Sequence, residues 1–589
     1  MGPGPCHSDQ NAQILWKEKL ALILVMAAAL WMYRGAFRSS FIQDDFGWLA
    51  LSRFHSFVEW AGCFFRFNAA GTYRPLSQET YFWISQRIFG LWAPGYHIFS
   101  IAAHLTAVWL VYRLARYFSG PLGALTGAFF YAVHSAHVTS LYWISAFPEP
   151  LAVVFLLASV ISFIRFERTN SRTAYALSLV AMLFGVFSKE SILCLPLVLA
   201  AYCLLWARPR VVWTYPHFAV AGICVLMRLL GSVRWAPYDL SMGRNTLDTL
   251  ASYLSWMAGF SGTVVQNGFG WPLPGSYRWI AAAFVVATLL LIAVARKRRA
   301  SIWALLWILF ALQPVLYFAD HSFPYYLAPA LAGFSLLLAS VFAPSSKIVE
   351  WKKWAPAVLT GAAIFWLSYL TVKPEGDWWA QRTLERREFI DRLLEIHRQV
   401  PENATAYIFG LSEQEFEKLE NGGVFKVYNL PARKFRFLLP ELDPDLPLLL
   451  RRLKNDGDGR RAYSFLFSAG KVIDQTETFR SDPERFLPPK PVSFQTIPGV
   501  ALEVGPAEIV RGRDTLSLRL VNLDARVVDV LYALDGQLMP PVLQWRLDAG
   551  HSASVFADMS TPAGAYDFRA VRPSGSSRWI RIDARIVVR

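Results

Sequence analysis

Two adjacent carboxylates, Asp44 and Asp45, stand in the stretch SFIQDDFGW (40–48), with aromatic residues on either side. Neighbouring acids in a partly desolvated place cannot both ionise freely. One is driven to hold its proton, which suits the pair to general-base work. The plain alternative is a turn or helix cap at the exit of an apolar run. Arg74, in Tyr73-Arg74-Pro75-Leu76, brings a permanent cation whose planar fork matches phosphate. Pro75 equally suits the first position of a helix, with Arg74 merely interfacial. Ser188-Lys189-Glu190 lies between two apolar runs with little loop. It offers a second cation and an acid, or an ion pair that neutralises itself. His134 and His137 could share a helical face within reach of a metal, but no third ligand is near in sequence, and hydrogen-bonded helix-end histidines account for them too. Glu149, between two prolines, is a cap or a site acid, and Asp320-His321 sit in a similarly tight turn, YFADHSFPYY.

The elements that must hold these residues are apolar. The 589 residues are 54% hydrophobic, 15% aromatic and 17% charged, with a net charge of +15. Soluble domains sit nearer 45–50% apolar and about 25% charged. A mean hydropathy of +0.31 excludes a disordered, collagenous or disulfide-stapled chain. The five cysteines show no metal-ligand spacing and predict no structural disulfide. A span needs about 20 apolar residues. Eleven runs qualify, at 20–33, 95–112, 121–138, 147–164, 173–188, 191–206, 212–229, 279–295, 302–318, 325–342 and 355–371. Lys and Arg in the short loops place the N-terminus inside and everything after about 372 outside. Residues 34–94 and 230–278 then form long outer segments, and 247–266 is apolar enough to lie in the interface or re-enter.

That frame assigns the charge. Residues 1–376 hold 28 Lys and Arg against 14 Asp and Glu; the remainder hold 30 against 29. The basic excess is an orientation signal facing the inner leaflet, with no support for nucleic-acid binding. Of eleven carboxylates between residues 20 and 372, all but Glu167 and Glu350 fall outside. Ionisable groups beside apolar spans are expensive and mark function. Their gathering predicts one polar site at the outer boundary.

Past Trp378-Trp379, which suit an interfacial anchor, charges of both signs become frequent. The pattern predicts a helix over 377–398 and strands at 404–409, 424–428 and 462–467. From 500 onward short strands between turns (516–521, 527–533, 553–556, 565–570, 579–588) predict an Ig-like β-sandwich. The expected domains are a transmembrane domain at 1–376, a soluble α/β region at 377–499 and the sandwich at 500–589.

Read in order, the segments DD-F, YRPL, GLWAPGYHIFSIAAH (90–104), HSAHVTSLYWIS (134–145), FSKES (187–191) and DHSFPYY (320–326) resemble the polytopic C-type glycosyltransferases. The resemblance is to the protein O-mannosyltransferase and aminoarabinose-transferase superfamily, nearest the bacterial relatives of the transmembrane O-mannosyltransferases that carry tetratricopeptide repeats. It covers about residues 15–372. It implies a polyprenyl-phosphate sugar donor, used outside the membrane, and a protein or glycolipid acceptor. It implies that Asp44 or Asp45 is the catalytic base, with Asp45 preferred. Arg74 and Lys189 would hold the donor phosphate, and His137, Glu149, Glu190, Asp320 and His321 would line the pocket. Thr139 and Pro148 stand where relatives often carry an acid and a base, and the repeats are replaced by the soluble regions. No cofactor is required by these residues, although carboxylates can bind Mg²⁺ or Mn²⁺. The expected location is a bacterial inner membrane, N-terminus cytoplasmic and C-terminal domain extracytoplasmic. Other readings are a transferase that modifies a glycolipid or polysaccharide, and a lipid or sugar transporter. A transporter should place its polar residues at mid-membrane in repeated halves.

Overall fold

The computed structural model describes residues 6–67, 73–231, 243–259, 277–296, 299–318, 322–341, 351–412 and, apart from short stretches, 415–589. Each of the eleven apolar runs falls on a helix. Among the described residues, six helices are long and apolar enough to cross a membrane, as an integral membrane protein requires: Trp16–Arg38, Ala93–Ala115, Ile144–Thr169, Arg208–Met227, Arg299–Leu316 and Pro324–Val341. Pro121–Val133, Arg172–Val186, Glu190–Trp206 and Arg278–Leu291 are shorter apolar helices. Small residues let the backbones approach, as helix packing without a hydrophobic drive demands. A Cβ on Gly127 would come within 2.5 Å of the Ser335 carbonyl, so Pro121–Val133 packs directly on Ala328–Val341. Of the stretch 247–266, residues 247–257 lie on the helix Arg244–Met257, and 260–266 lie outside the described residues.

The last apolar run does not end where the composition changes. Trp351–Gln399 is one helix of 49 residues, so the boundary expected at 376 falls inside it. At 1.5 Å per residue it is about 70 Å long, and Phe389 and Leu393 of its charged half pack in one core with Phe46 and Tyr96. Tyr142 packs at this crossing: a Cβ on Gly376 would sit 2.6 Å from its hydroxyl.

Beyond the helix lies a four-stranded sheet in the order Phe435–Phe437, Thr405–Phe409, Ala462–Ser468, Lys471–Asp474. The first three are parallel and the last pairs antiparallel. The strand expected at 424–428 is instead a short helix, Gly423–Val427. A short apolar run cannot be told apart by periodicity, and this one is claimed by packing. Val424, Phe425 and Val427 share a buried core with Phe46 and Leu49 of Asp44–Leu51, with Tyr81 and Tyr96, and with Phe389 and Leu393 of the long helix. The soluble region is thereby fused to the loops carrying the paired acids. The C-terminal strands form a six-stranded and a three-stranded sheet around a common core that includes Leu518, Val530, Val571 and Ile582.

Candidate active site

The site begins with an unusual backbone. Gln43 has φ 52° and ψ −126°, nearly the conformation that Gly90 takes at φ 56° and ψ −124°. A side-chain-bearing residue held there costs on the order of 1–3 kcal/mol. The turn launches the helix Asp44–Leu51 with both acids in its first turn, where the helix dipole favours them. Successive helical residues diverge by about 100°, so the two acids go to different places.

Asp45 turns inward and is fully buried. Its Oδ2 accepts from the Ile42 amide at 2.9 Å, and its Oδ1 accepts from the Ser145 amide at 2.8 Å and from the Ser145 hydroxyl. Burial drives its carboxyl up to about 7, against the pull of these donors. Asp44 keeps accessible surface, yet the protein around it desolvates its carboxyl and raises it, while Arg74 pulls it down.

Arg74 is buried, and both its Nε (3.1 Å) and Nη2 (2.8 Å) donate to Oε2 of Glu190. It precedes a π-helical turn, Pro75–Thr80, a distortion often found at functional sites. That turn is stitched to the other cation's loop: Leu76 donates to the Phe187 carbonyl at 3.1 Å and the Ser77 hydroxyl to the Ser188 carbonyl at 2.5 Å. The next residue, Lys189, points its Nζ at Glu149 Oε2, 2.7 Å away, between two side chains that are 9% and 0% exposed. The same Nζ lies 4.9 Å and 4.5 Å from the ring centres of Tyr325 and Tyr326. Glu149 sits in the first turn of Pro148–Thr169, and its Oε1 has no hydrogen-bond partner among the described residues.

The structure thus brings together Asp44, Asp45, Arg74, Glu190, Lys189 and Glu149 from four separate segments. His137 is buried, with its ring tilted against those of Tyr131 (4.7 Å) and His104 (4.6 Å). His134 caps its own turn by accepting from the Ala136 amide, while its other nitrogen meets the Met257 carbonyl at 3.1 Å. Asp320 and His321 lie outside the described residues. Among the described residues no three His, Cys, Asp or Glu side chains gather as a metal site. Glu79, counted among the outer carboxylates but assigned no part in the site, is 3% exposed and its carboxyl is pushed to about 7 by burial, with Arg66 opposing. Its signal was its place five residues after Arg74 on an otherwise uncharged stretch.

Residues 74–235 match the family described as dolichyl-phosphate-mannose-protein mannosyltransferase. The matched segment is a little over a quarter of the chain and contains Arg74, His137, Glu149, Lys189 and Glu190, so the superfamily resemblance read from the motifs is shared by this match. No curated protein matches the chain. Among solved structures, ArnT from Cupriavidus metallidurans bound to undecaprenyl phosphate is 13% identical with a TM-score of 0.43, covering 79% of this chain and 95% of that one. The archaeal oligosaccharyltransferase AglB from Archaeoglobus fulgidus, in complex with an inhibitory peptide and a dolichol-phosphate, is 10% identical with a TM-score of 0.40, covering 97% of each chain.

Proposed function

We propose that this protein is a membrane glycosyltransferase that moves a sugar from a polyprenyl-phosphate donor to an acceptor hydroxyl at the outer face of the membrane. The observation that carries the reading is one cluster: an accessible carboxylate, Asp44, in the field of Arg74, with Arg74 stitched to the loop that presents Lys189. The family match over 74–235, whose name specifies a lipid-phosphate mannose donor, supports it.

Asp44 is the base in this reading. A base must reach the proton it takes, and Asp45, which the sequence favoured, has no accessible surface and accepts three donors. Asp45 therefore positions the helix that presents Asp44. Arg74 and Lys189, each oriented by its own carboxylate, hold the donor phosphate and steady the charge it gains on leaving. The acceptor oxygen forms a bond to the anomeric carbon as the bond from that carbon to the phosphate oxygen breaks. The electron pair leaves with polyprenyl phosphate, the acceptor proton passes to Asp44, and an oxocarbenium-like state lies between. One displacement inverts the anomeric centre.

The test is transfer itself. Purified protein is incubated with sugar-labelled polyprenyl phosphates and candidate protein, glycolipid and glycan acceptors. Acceptor-dependent release of lipid phosphate with an inverted product is expected. A retained anomer, or no transfer from any donor, would overturn the reading. A tag after Arg589 should read out on the extracytoplasmic side; a cytoplasmic readout would overturn the placement of the site.

A further inference from the structure

A cleft of about 140 Å³ opens beside Gln43, the residue that precedes Asp44, and belongs to neither cation already described. It is lined by Ile42 and Gln43 from the first loop and by Trp378, Arg382 and Arg386 from the long helix. The three helix residues stand at intervals of four, so they share one face. The helix is fixed there by aromatic packing: Trp379 stacks on Trp143 at 6.1 Å and meets Trp378 edge-on at 5.1 Å. Arg382 lies over the Trp378 ring, 5.4 Å from its centre, and both are exposed. Arg386 is buried. Neighbouring acids on the helix have other partners. Asp377 pairs with Lys373, and Glu385 accepts from Gln381 at 3.1 Å.

We propose that this cleft is an acceptor subsite for an anionic group, a phosphate or carboxylate, carried by the molecule whose hydroxyl Asp44 activates. It rests on the reading of Asp44 as the base. The chemistry is specific. A guanidinium has five donors in a rigid fork, so a partner within the protein still leaves donors for a ligand. The strained Gln43 forms the opposite wall, one residue from Asp44, so an anion held here brings adjacent hydroxyls of its carrier to the base. The cleft has room for such a group and a few waters, not for a sugar chain. The remainder of the acceptor extends outward, past the exposed Trp378.

The full-length protein in detergent tests this by calorimetric titration with glucose 6-phosphate, glucuronate and methyl glucoside. At least one anionic probe should bind about tenfold more tightly than the neutral one, the effect of one charge-assisted contact. The probe that wins names the anion. Arg382→Gln, on an exposed side chain, should remove most of that preference, as should Arg386→Gln if it folds. Arg451→Gln, on the far soluble region, should leave it intact, and salt should weaken it. Equal affinity for all three probes, or a preference that survives Arg382→Gln, would overturn the proposal. Anion preference in a protein that transfers no sugar upholds the cleft and sinks the base.

Discussion

Replacing Lys189 with Met should destabilise the protein sharply, and the size of the loss follows from the pair it breaks. The Lys189 and Glu149 charges are 2.7 Å apart, with the carboxylate fully buried. At an effective dielectric near 20 their attraction is about 6 kcal/mol, most of it spent on desolvating both groups. Removing the cation leaves Glu149 buried without its counter-charge and with an oxygen that already lacks a hydrogen-bond partner among the described residues. The expected cost is about 3–5 kcal/mol. The Tyr325 and Tyr326 rings lose a cation–π contact each, worth roughly 0.5–2 kcal/mol. The double variant Lys189→Met/Glu149→Gln removes both charges and should recover most of the stability, since a well-packed neutral pair is often as stable as the ion pair. It should not recover donor affinity, because the phosphate ligand is gone. Denaturant unfolding followed by tryptophan fluorescence, alongside titration with polyprenyl phosphate, separates the two effects. A loss under about 1 kcal/mol in the single variant would refute the electrostatic reasoning. A double variant that binds polyprenyl phosphate as well as the wild type would refute the role of Lys189 at the donor.

Three further outcomes are expected. Because Arg74 lowers the raised Asp44 carboxyl, Arg74→Gln should move the acid limb of the kcat/KM profile to higher pH as well as slow the reaction; an unmoved limb would detach Arg74 from the base. Asp45 holds its proton up to about 7, against 3.8 when unfolded, so the native state binds the proton more tightly and stability falls as pH rises from about 4 to 7. Asp45→Asn should flatten that slope, measured by unfolding at pH 4.5 and 7.5. Gly423→Val would place a Cβ 3.2 Å from Phe46, and its methyls further into the helix bearing the acids. It should cost about 1–3 kcal/mol by overpacking and lower kcat, and unchanged stability and kcat would show the soluble region to be uncoupled from the site.

The bundle was legible because spans are written in length and hydropathy, and those survive any packing. The meeting of Arg74, Lys189 and Glu190 was legible only as a shared face, and the stitching of Leu76 and Ser77 to Phe187 and Ser188 is what joins their two loops. The order of Asp44 and Asp45 was not legible. A dipeptide gives no sign of which member turns inward; Ser145, a hundred residues away, decides it. The Gly423–Val427 helix escaped in the same way: contact with the first loop settles it, and local pattern carries no record of that contact. Glu79 was hidden because its burial depends on a π-helical turn that no spacing rule anticipates.

The central claim is that Asp44, and not Asp45, takes the acceptor's proton. The most direct measurement is the rate of polyprenyl-phosphate release by Asp44→Asn at saturating donor and acceptor, with donor binding checked separately. Loss of a general base predicts a fall of about 10²–10⁴-fold in that rate with donor affinity retained. Release at the wild-type rate by Asp44→Asn would contradict the account.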